Sequence, residues 1–378
     1  MLIMLEMVQT AGLGLALLFL AVLAWGLRRR AGVREPGTPA VSVLVAARNE
    51  ETALPACLTA LAAQDYPPDK TEFILLDDAS TDRTGDLVRA WAERDARFRV
   101  VRLEEPEQRT VGPKKRALIA GLAVCRGEIV LVTDADCVAG PRWVRRMMEC
   151  FEPEVAAVAG AVRSRHNRSW MGKLTTFEGV VNAVLNAAVI GAGGALSCIG
   201  SNFAYRREAF HAVGGFDRGA RSVSGDDDLL LQKFKAAGYR VRFCFDPEAR
   251  VETDGPETAR AYWSRKRRHL SAGKRYAPHW IALAGLLYLG CLATLLLAAG
   301  WALGLHPELR FLAGWGAFSL GLATLFHRGA SRLGESGWWP WSLPAAFLFP
   351  LYFVLLQPLT LLAAPAWKGR SVTMKAAA

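Results

Sequence analysis

Three groups of carboxylates carry the chemistry this sequence can offer. Asp134-Ala135-Asp136 places two hard oxygen ligands either side of one residue. Both can reach one Mg²⁺ or Mn²⁺, ions that keep waters and take phosphate oxygens as their other ligands. A divalent ion held in this way neutralises a diphosphate leaving group. Asp77-Asp78-Ala79-Ser80-Thr81-Asp82 is the second group, and Asp226-Asp227-Asp228, heading an apolar stretch from Leu229, is the third. Three adjacent carboxylates repel one another, and the raised pKa that results suits a general base. Each group also has a plain structural use. An Asp at a strand end forms turns or caps a helix, as Asp82 would, and acids at a helix start complement its dipole.

The elements around these groups favour the chemical reading. Residues 41–46 (VSVLVA) form a short β-rich run ending in Arg48-Asn49-Glu50-Glu51, and a helical stretch follows to about Gln64. Residues 73–76 are a second apolar run closed by Asp77 and Asp78, 87–94 are helical, 98–103 strand-like and 114–125 helical; 129–132 then lead into Thr133-Asp134. Strands alternating with helices mean crossover units and a mostly parallel sheet. Ligands of such sheets bind beyond the carboxyl ends of the strands, where both Asp78 and Asp134 fall.

Composition sets the frame. Of 378 residues, 52% are hydrophobic and 21% charged, which predicts a soluble domain held by hydrophobic spans. Seven scattered cysteines with no C-x-x-C pair suit reduced thiols facing the cytoplasm and argue against a structural zinc site. Residues 7–27 are uncharged and stop at Arg28-Arg29-Arg30. A cleaved signal would carry its basic residues before the apolar run. The order here predicts an anchor over 1–30 with its C-terminal end cytoplasmic, since about 20 apolar residues cross a bilayer core. After Ala277 charge nearly vanishes. Residues 279–305 and 311–326 read as two spans joined around His306-Pro307-Glu308. Residues 336–367, with Pro340, Pro344, Pro350, Pro358 and Pro365 and an opening cluster of Trp338, Trp339 and Trp341, read as a third span or a broken, re-entrant segment. The expected organisation is an anchor over 1–30, a catalytic domain over 31–276, a membrane region over 277–367 and a basic tail over 368–378. Residues 170–199, apolar and rich in Gly and Ala, read as a buried helix plus loop or as an interfacial segment presenting a lipid hydroxyl.

The net charge of +11 has a local source, because residues 260–275 hold seven Lys/Arg and no acid. This is the cytoplasmic flank of a span attracted to anionic lipid. Arg265 and Arg268, three apart on one helical face, also suit a diphosphate. Basic residues beside spans, with little aromatic interleaving, exclude nucleic acid as a partner.

Taken in order, VSVLVAARNEE, LLDDASTD, PKKRAL, VTDAD, GSNFAYRREAF, VGGF and GDDDLL resemble the membrane-bound family 2 glycosyltransferases of GT-A fold. That group contains ceramide glucosyltransferase and the cellulose, hyaluronan and poly-N-acetylglucosamine synthases. The resemblance covers roughly 41–276 and implies an α/β GT-A catalytic domain (Rossmann-like, mostly parallel sheet) with transmembrane helices at both ends. It implies that Asn49, Glu50, Asp78, Lys114, Asp134, Arg265 and Arg268 serve the nucleotide-sugar donor, and that Asp134 and Asp136 hold Mg²⁺ or Mn²⁺. It also implies that Asn202 and His269 face the acceptor. The family's Glu-Asp pair aligns with Gly225-Asp226, which makes Asp226 the expected base and Asp227 its alternative. His269 stands where the family has the Trp of (Q/R)xxRW. The expected reaction is inverting transfer at the cytoplasmic face of a bacterial inner membrane. The expected acceptor is a membrane lipid, because few spans leave limited room for a polymer channel. Processive polysaccharide synthesis and a catalytically degenerate membrane scaffold are the alternatives.

Overall fold

The computed structural model describes residues 2–28, 37–106, 111–165, 170–216, 225–302, 309–335, 337, 339–356 and 358. The tail 368–378, the loop around His306, and Arg29, Arg30, Trp338 and Pro365 lie outside the described residues.

Runs of β-branched residues make the strands β1 (Val41–Ala47), β2 (Thr71–Asp78), β3 (Phe98–Leu103) and β4 (Ile129–Asp134). These are joined by the helices α2 (Leu54–Ala62), α3 (Thr84–Arg94) and α4 (Pro113–Val124), while α1 (Leu2–Arg28) precedes the sheet. There follow β5 (Cys137–Ala139), α5 (Trp143–Met148), β6 (Val155–Gly160), β7 (Val162–Arg165) and α6 (Trp170–Gly191). Next come β8 (Phe203–Arg206), α7 (Arg207–Ala212), α8 (Asp228–Ala236), β9 (Arg240–Cys244) and β10 (Val251–Asp254). The chain then turns helical, as α9 (Ala259–Leu270), α10 (Pro278–Ala302), α11 (Leu309–Arg332) and α12 (Trp339–Leu356).

The main sheet runs β3-β2-β1-β4-β8-β6-β9, with β8 antiparallel to both neighbours and the remaining pairs parallel. The chain lays β2 and β3 on one side of β1, then returns to place β4 on the other. That reversal opens a crevice at the carboxyl ends of β1 and β4. Register puts Asp134 opposite Ala46 and Asp77 opposite Ala47, so both acidic groups stand on its rim. Strands buried on both faces need helices on both. Leu54, Leu58, Val88 and Trp143 cover one face, and Leu118, Phe210, Leu230 and Phe234 the other. A small sheet, β5-β10-β7, closes one side of the crevice.

A third core joins the two ends of the chain. Leu23 of α1, Val184 and Ala188 of α6, Leu322 and Phe326 of α11 and Ala346 of α12 pack together. A Cβ at Gly26 would overlap the carbonyl of Ala188, and one at Gly191 would overlap the carbonyl of Gly26. Small residues bring these two backbones into contact.

Among the described residues, two helical segments are long and apolar enough to cross a membrane, Met171–Gly191 and Pro278–Leu296, while Ala16–Arg28 and Pro340–Leu356 are shorter apolar helices. Of the spans expected at the two ends, the one over 279–305 therefore meets the test over its first part. The segment 170–199 is a helix mostly buried by the rest of the protein, followed by a loop. The prolines of α12 do not break it: the helix runs through Pro344 and Pro350. It lies against α11, with Trp315 stacked on Phe347 at 4.0 Å, and such packing supports a helix whose prolines remove internal hydrogen bonds.

Gly191→Leu should force α1 and α6 apart and cost about 1–3 kcal/mol, the usual scale of overpacking. Thermal unfolding in detergent should show a lower midpoint; an unchanged midpoint would mean that the glycine contact is dispensable.

Candidate active site

Helix α4 begins at Gly112-Pro113, with proline in its first turn where no amide hydrogen bond is lost, and Lys114 follows at once. The Lys114 ammonium lies 2.6 Å from Asp134 Oδ1 and 3.7 Å from Asp226 Oδ2. Burial disfavours charge on this lysine, yet Asp134 and Asp226 outweigh it and hold its pKa above the ordinary value. Asp134 responds in kind. Burial opposes its ionisation, but Lys114, Arg268 and Arg265 pull its carboxyl below the usual range. Asp136 accepts a hydrogen bond from Thr253 Oγ1 at 3.2 Å.

Asp134, Asp136 and Cys137 offer ligand atoms within 4.8 Å of one another. Burial, with Asp136 and Asp134 beside it, pushes the Cys137 thiol well up, so it stays protonated and donates to Asp136 Oδ1 at 3.6 Å. The ligand set is therefore the two carboxylates, hard oxygens that fit Mg²⁺ or Mn²⁺.

The acidic triplet divides its work. Gly225, at φ +85°, turns the chain into α8 through the left-handed region. Asp227 accepts from the amides of Gly200 (2.5 Å) and Asp228 (2.8 Å), which caps α8. Asp228 accepts from the Cys198 amide (2.8 Å) and the Tyr276 hydroxyl (2.5 Å). Asp226 faces Lys114. Burial, then the neighbouring Asp226, raises Asp227 from 3.8 to about 6 against the pull of Lys114. Burial and Asp227 raise Asp228 further.

A cavity of about 2940 Å³ joins these groups. Glu50, Lys114, Asp134, Asp136, Asp226, Asp227, Arg265, Arg268 and His269 line its polar end. Trp280, Leu287, Phe318, Phe349 and Phe353 line an apolar end among α6, α10, α11 and α12. His269 lines the cavity with an exposed side chain; loss of bulk solvent there, then Arg268, Arg265, Lys266 and Lys114, shifts its pKa down and favours the neutral imidazole.

Three expected site residues do not line this cavity. Asp78 is fully buried and ion-paired with Arg116, while Arg48 donates to its carbonyl at 2.5 Å. Its carboxylate therefore braces the rim, and nucleotide contact there would first require Arg116 to move. Asn49, at φ +51°, accepts from the Thr81 amide at 2.9 Å and ties the loop after β1 to the loop after β2. Asn202, expected to face the acceptor, is fully buried, accepting from Trp143 Nε1 at 2.9 Å and donating to the carbonyls of Ala161 and Ala249 at 2.8 Å. With its amide group fully engaged it holds three elements together beneath the site.

Sequence reasoning missed Arg116, Tyr276 and Glu178. Glu178 left a readable signal as the only acid between 170 and 199, since an ionisable group in an apolar helix needs a partner. Tyr276 and Arg116 had none, because their partners lie far off in sequence.

Residues 42–214 match the family model described as Glycosyl transferase family 2, and 129–363 match Glycosyl transferase family group 2. An N-acetylglucosaminyltransferase of Rhizobium meliloti is 33% identical over 234 residues, 59% of this chain and 53% of that protein. A beta-monoglucosyldiacylglycerol synthase of Synechocystis is 30% identical over 246 residues, 64% of this chain and 50% of the relative. The chain thus spans about half the length of the curated relatives it matches. The mannosyltransferase PcManGT of Pyrobaculum calidifontis, solved in complex with GDP-Man and Mn²⁺, superposes with a TM-score of 0.57 at 25% identity, covering 93% of this chain and 99% of that one.

If Asp134 and Asp136 hold the ion, Asp134→Asn and Asp136→Asn should each weaken Mn²⁺ binding by more than the ~10–100-fold that loss of a supporting partner costs. Electron paramagnetic resonance of free Mn²⁺ would read this, and wild-type affinity in both variants would move the metal elsewhere. A second expectation concerns pH. With its pKa raised from 3.8 to about 6, Asp227 keeps in the folded protein a proton that the unfolded chain has lost. Its stabilisation is full below the lower value and disappears as pH rises through the upper one. Urea unfolding across that window should show wild-type stability falling more steeply with pH than that of Asp227→Asn; parallel slopes would contradict the shift.

Proposed function

We propose that this chain, which belongs to the family 2 glycosyltransferases, moves a sugar with inversion from a nucleotide-diphosphate donor to the hydroxyl of a membrane lipid. The observation that carries this reading is the single cavity in which Asp134, Asp226 and the arginines open onto an apolar hollow among α6, α10, α11 and α12. A relative named as a beta-monoglucosyldiacylglycerol synthase supports a lipid acceptor. The hollow's own walls at Leu286, Leu289 and Leu296 of α10 and Leu348 and Leu355 of α12 are exposed, so it opens outward on a surface suited to a bilayer. With α9 basic at the membrane side, the sugar nucleotide enters from the cytoplasm.

In this reading the reaction is one displacement. Asp226 takes the proton of the acceptor hydroxyl. The oxygen attacks the anomeric carbon from the face opposite the diphosphate, and the bond to the diphosphate oxygen breaks. Arg265 and Arg268 bind the departing charge, and Lys114 holds Asp134 and Asp226 in place. A divalent ion on Asp134 and Asp136 would add Lewis-acid neutralisation of the diphosphate. Neutral His269 stands where donor pocket meets apolar hollow and presents a hydrogen-bonding group to the acceptor without repelling the nearby arginines.

Membranes given labelled UDP- or GDP-sugars with Mn²⁺ should yield chloroform-soluble label. High-mass, glycosidase-sensitive label would establish polysaccharide synthesis instead, and absence of transfer from any donor would favour a scaffold. Asp226→Asn should keep nucleoside diphosphate binding while transfer falls ~10²–10⁴-fold. Near-normal turnover would move the base to another residue.

A further inference from the structure

Beyond the donor site, the apolar wall of the cavity holds one buried polar knot. Glu178 of α6 is 8% exposed. Its Oε1 accepts hydrogen bonds from the hydroxyls of Tyr262 in α9 and Tyr352 in α12, the latter at 2.5 Å. Its Oε2 lies 2.8 Å from the Lys266 ammonium of α9, which in turn donates to Tyr352 at 3.1 Å. The ammonium also sits over both phenol rings, 5.6 Å from Tyr262 and 5.8 Å from Tyr352. One carboxylate thus closes a three-helix junction. Its loss would strand the Lys266 charge among apolar neighbours.

The geometry of α9 gives this knot a reach beyond itself. At about 100° per residue, Tyr262 and Lys266 lie about 40° apart on one strip of the helix. Arg265 and Arg268 lie about 60° apart on the adjoining strip. Pinning the first strip to Glu178 fixes the rotation of α9, and with it the direction of the second. Both arginines line the cavity beside Asp134 and Asp136, while Lys266 is spent on Glu178.

We propose that Glu178 is a positioning residue for donor binding: through Lys266 and Tyr262 it sets the rotation of α9 that aims Arg265 and Arg268 at the diphosphate, and through Tyr352 it makes that setting depend on the seating of α12. The inference rests on the reading of those arginines as diphosphate ligands, and the test separates the two.

Affinity of the detergent-solubilised full chain for UDP and for GDP, each with Mn²⁺, would be measured by calorimetry. The set is wild type, Glu178→Gln, Tyr352→Phe, Arg268→Ala and the double variant Glu178→Gln/Arg268→Ala. Glu178→Gln is expected to weaken binding of the better nucleotide about tenfold or more, and Tyr352→Phe, which removes one hydroxyl and keeps the ring, by a smaller factor. A group acting through Arg265 and Arg268 together loses the Arg268 share of its effect once that arginine is gone, so the double variant should fall below Arg268→Ala by a smaller factor than Glu178→Gln falls below wild type. Should Glu178→Gln fail to fold, the same comparison runs on Tyr352→Phe with and without Arg268→Ala. Wild-type affinity in Glu178→Gln alongside weakened Arg268→Ala overturns the positioning role alone, as does an additive double variant. Wild-type affinity in Arg268→Ala removes the arginine reading and the positioning role with it.

Discussion

One partly buried cation makes this site possible. Asp134, Asp226, Asp227 and Asp228 crowd together at the rim, from half-exposed to buried, and carboxylates in that setting would repel each other or take up protons. Lys114 stands between the acid at the end of β4 and the acid at the start of α8, and its charge is what lets Asp134 stay ionised. It does so from the first turn of α4, set there by Gly112 and Pro113 rather than by a mobile loop. The remaining parts follow from that placement. β1 and β4 bring the rim to Lys114, the Gly225 turn brings Asp226, and α9 brings the arginines from the far side.

Much of the fold could be read from the chain, and the reasons are local. The run 98–103 coincides with β3, and 41–46, 73–76 and 129–132 fall inside β1, β2 and β4, because β-branched residues bounded by polar turns leave little else to form. The position of Asp78 and Asp134 at strand ends was equally legible, since parallel strands put their carboxyl ends on one edge. The Asp triplet was legible as a group but not in its division of labour. Which acid caps α8, which meets Tyr276 and which faces Lys114 depends on Gly200, Cys198 and Tyr276, residues separated from it by some 30 to 50 positions. Asn202 shows the same limit from the other side. A motif put it near the acceptor, while its contacts with Trp143, Ala161 and Ala249 make it a bracket inside the domain. The prolines of α12 mislead for a related reason, because propensity describes a lone helix and α12 is not alone.

The cavity joins two environments that ordinarily exclude each other. Its polar end concentrates cations around oxygens, as a diphosphate needs, and its other end offers aromatic and aliphatic walls. The transfer proposed above, from a charged donor to a lipid hydroxyl, would need both within a few ångströms. His269, its pKa lowered by desolvation and by the surrounding cations, lines the same cavity. A fixed positive charge there would add to an already crowded field, and an indole would extend the apolar wall toward the donor. Imidazole does neither.

The contact between Gly26 and Gly191 bears on how the molecule is made. The first helix leaves the ribosome long before the helix it grips, and its other neighbour, α11, comes later still. Until those arrive, the flank of α1 that carries Leu23 has no protein to meet. Co-translational assembly must therefore park this helix, in lipid or against a chaperone, while the entire catalytic domain is synthesised.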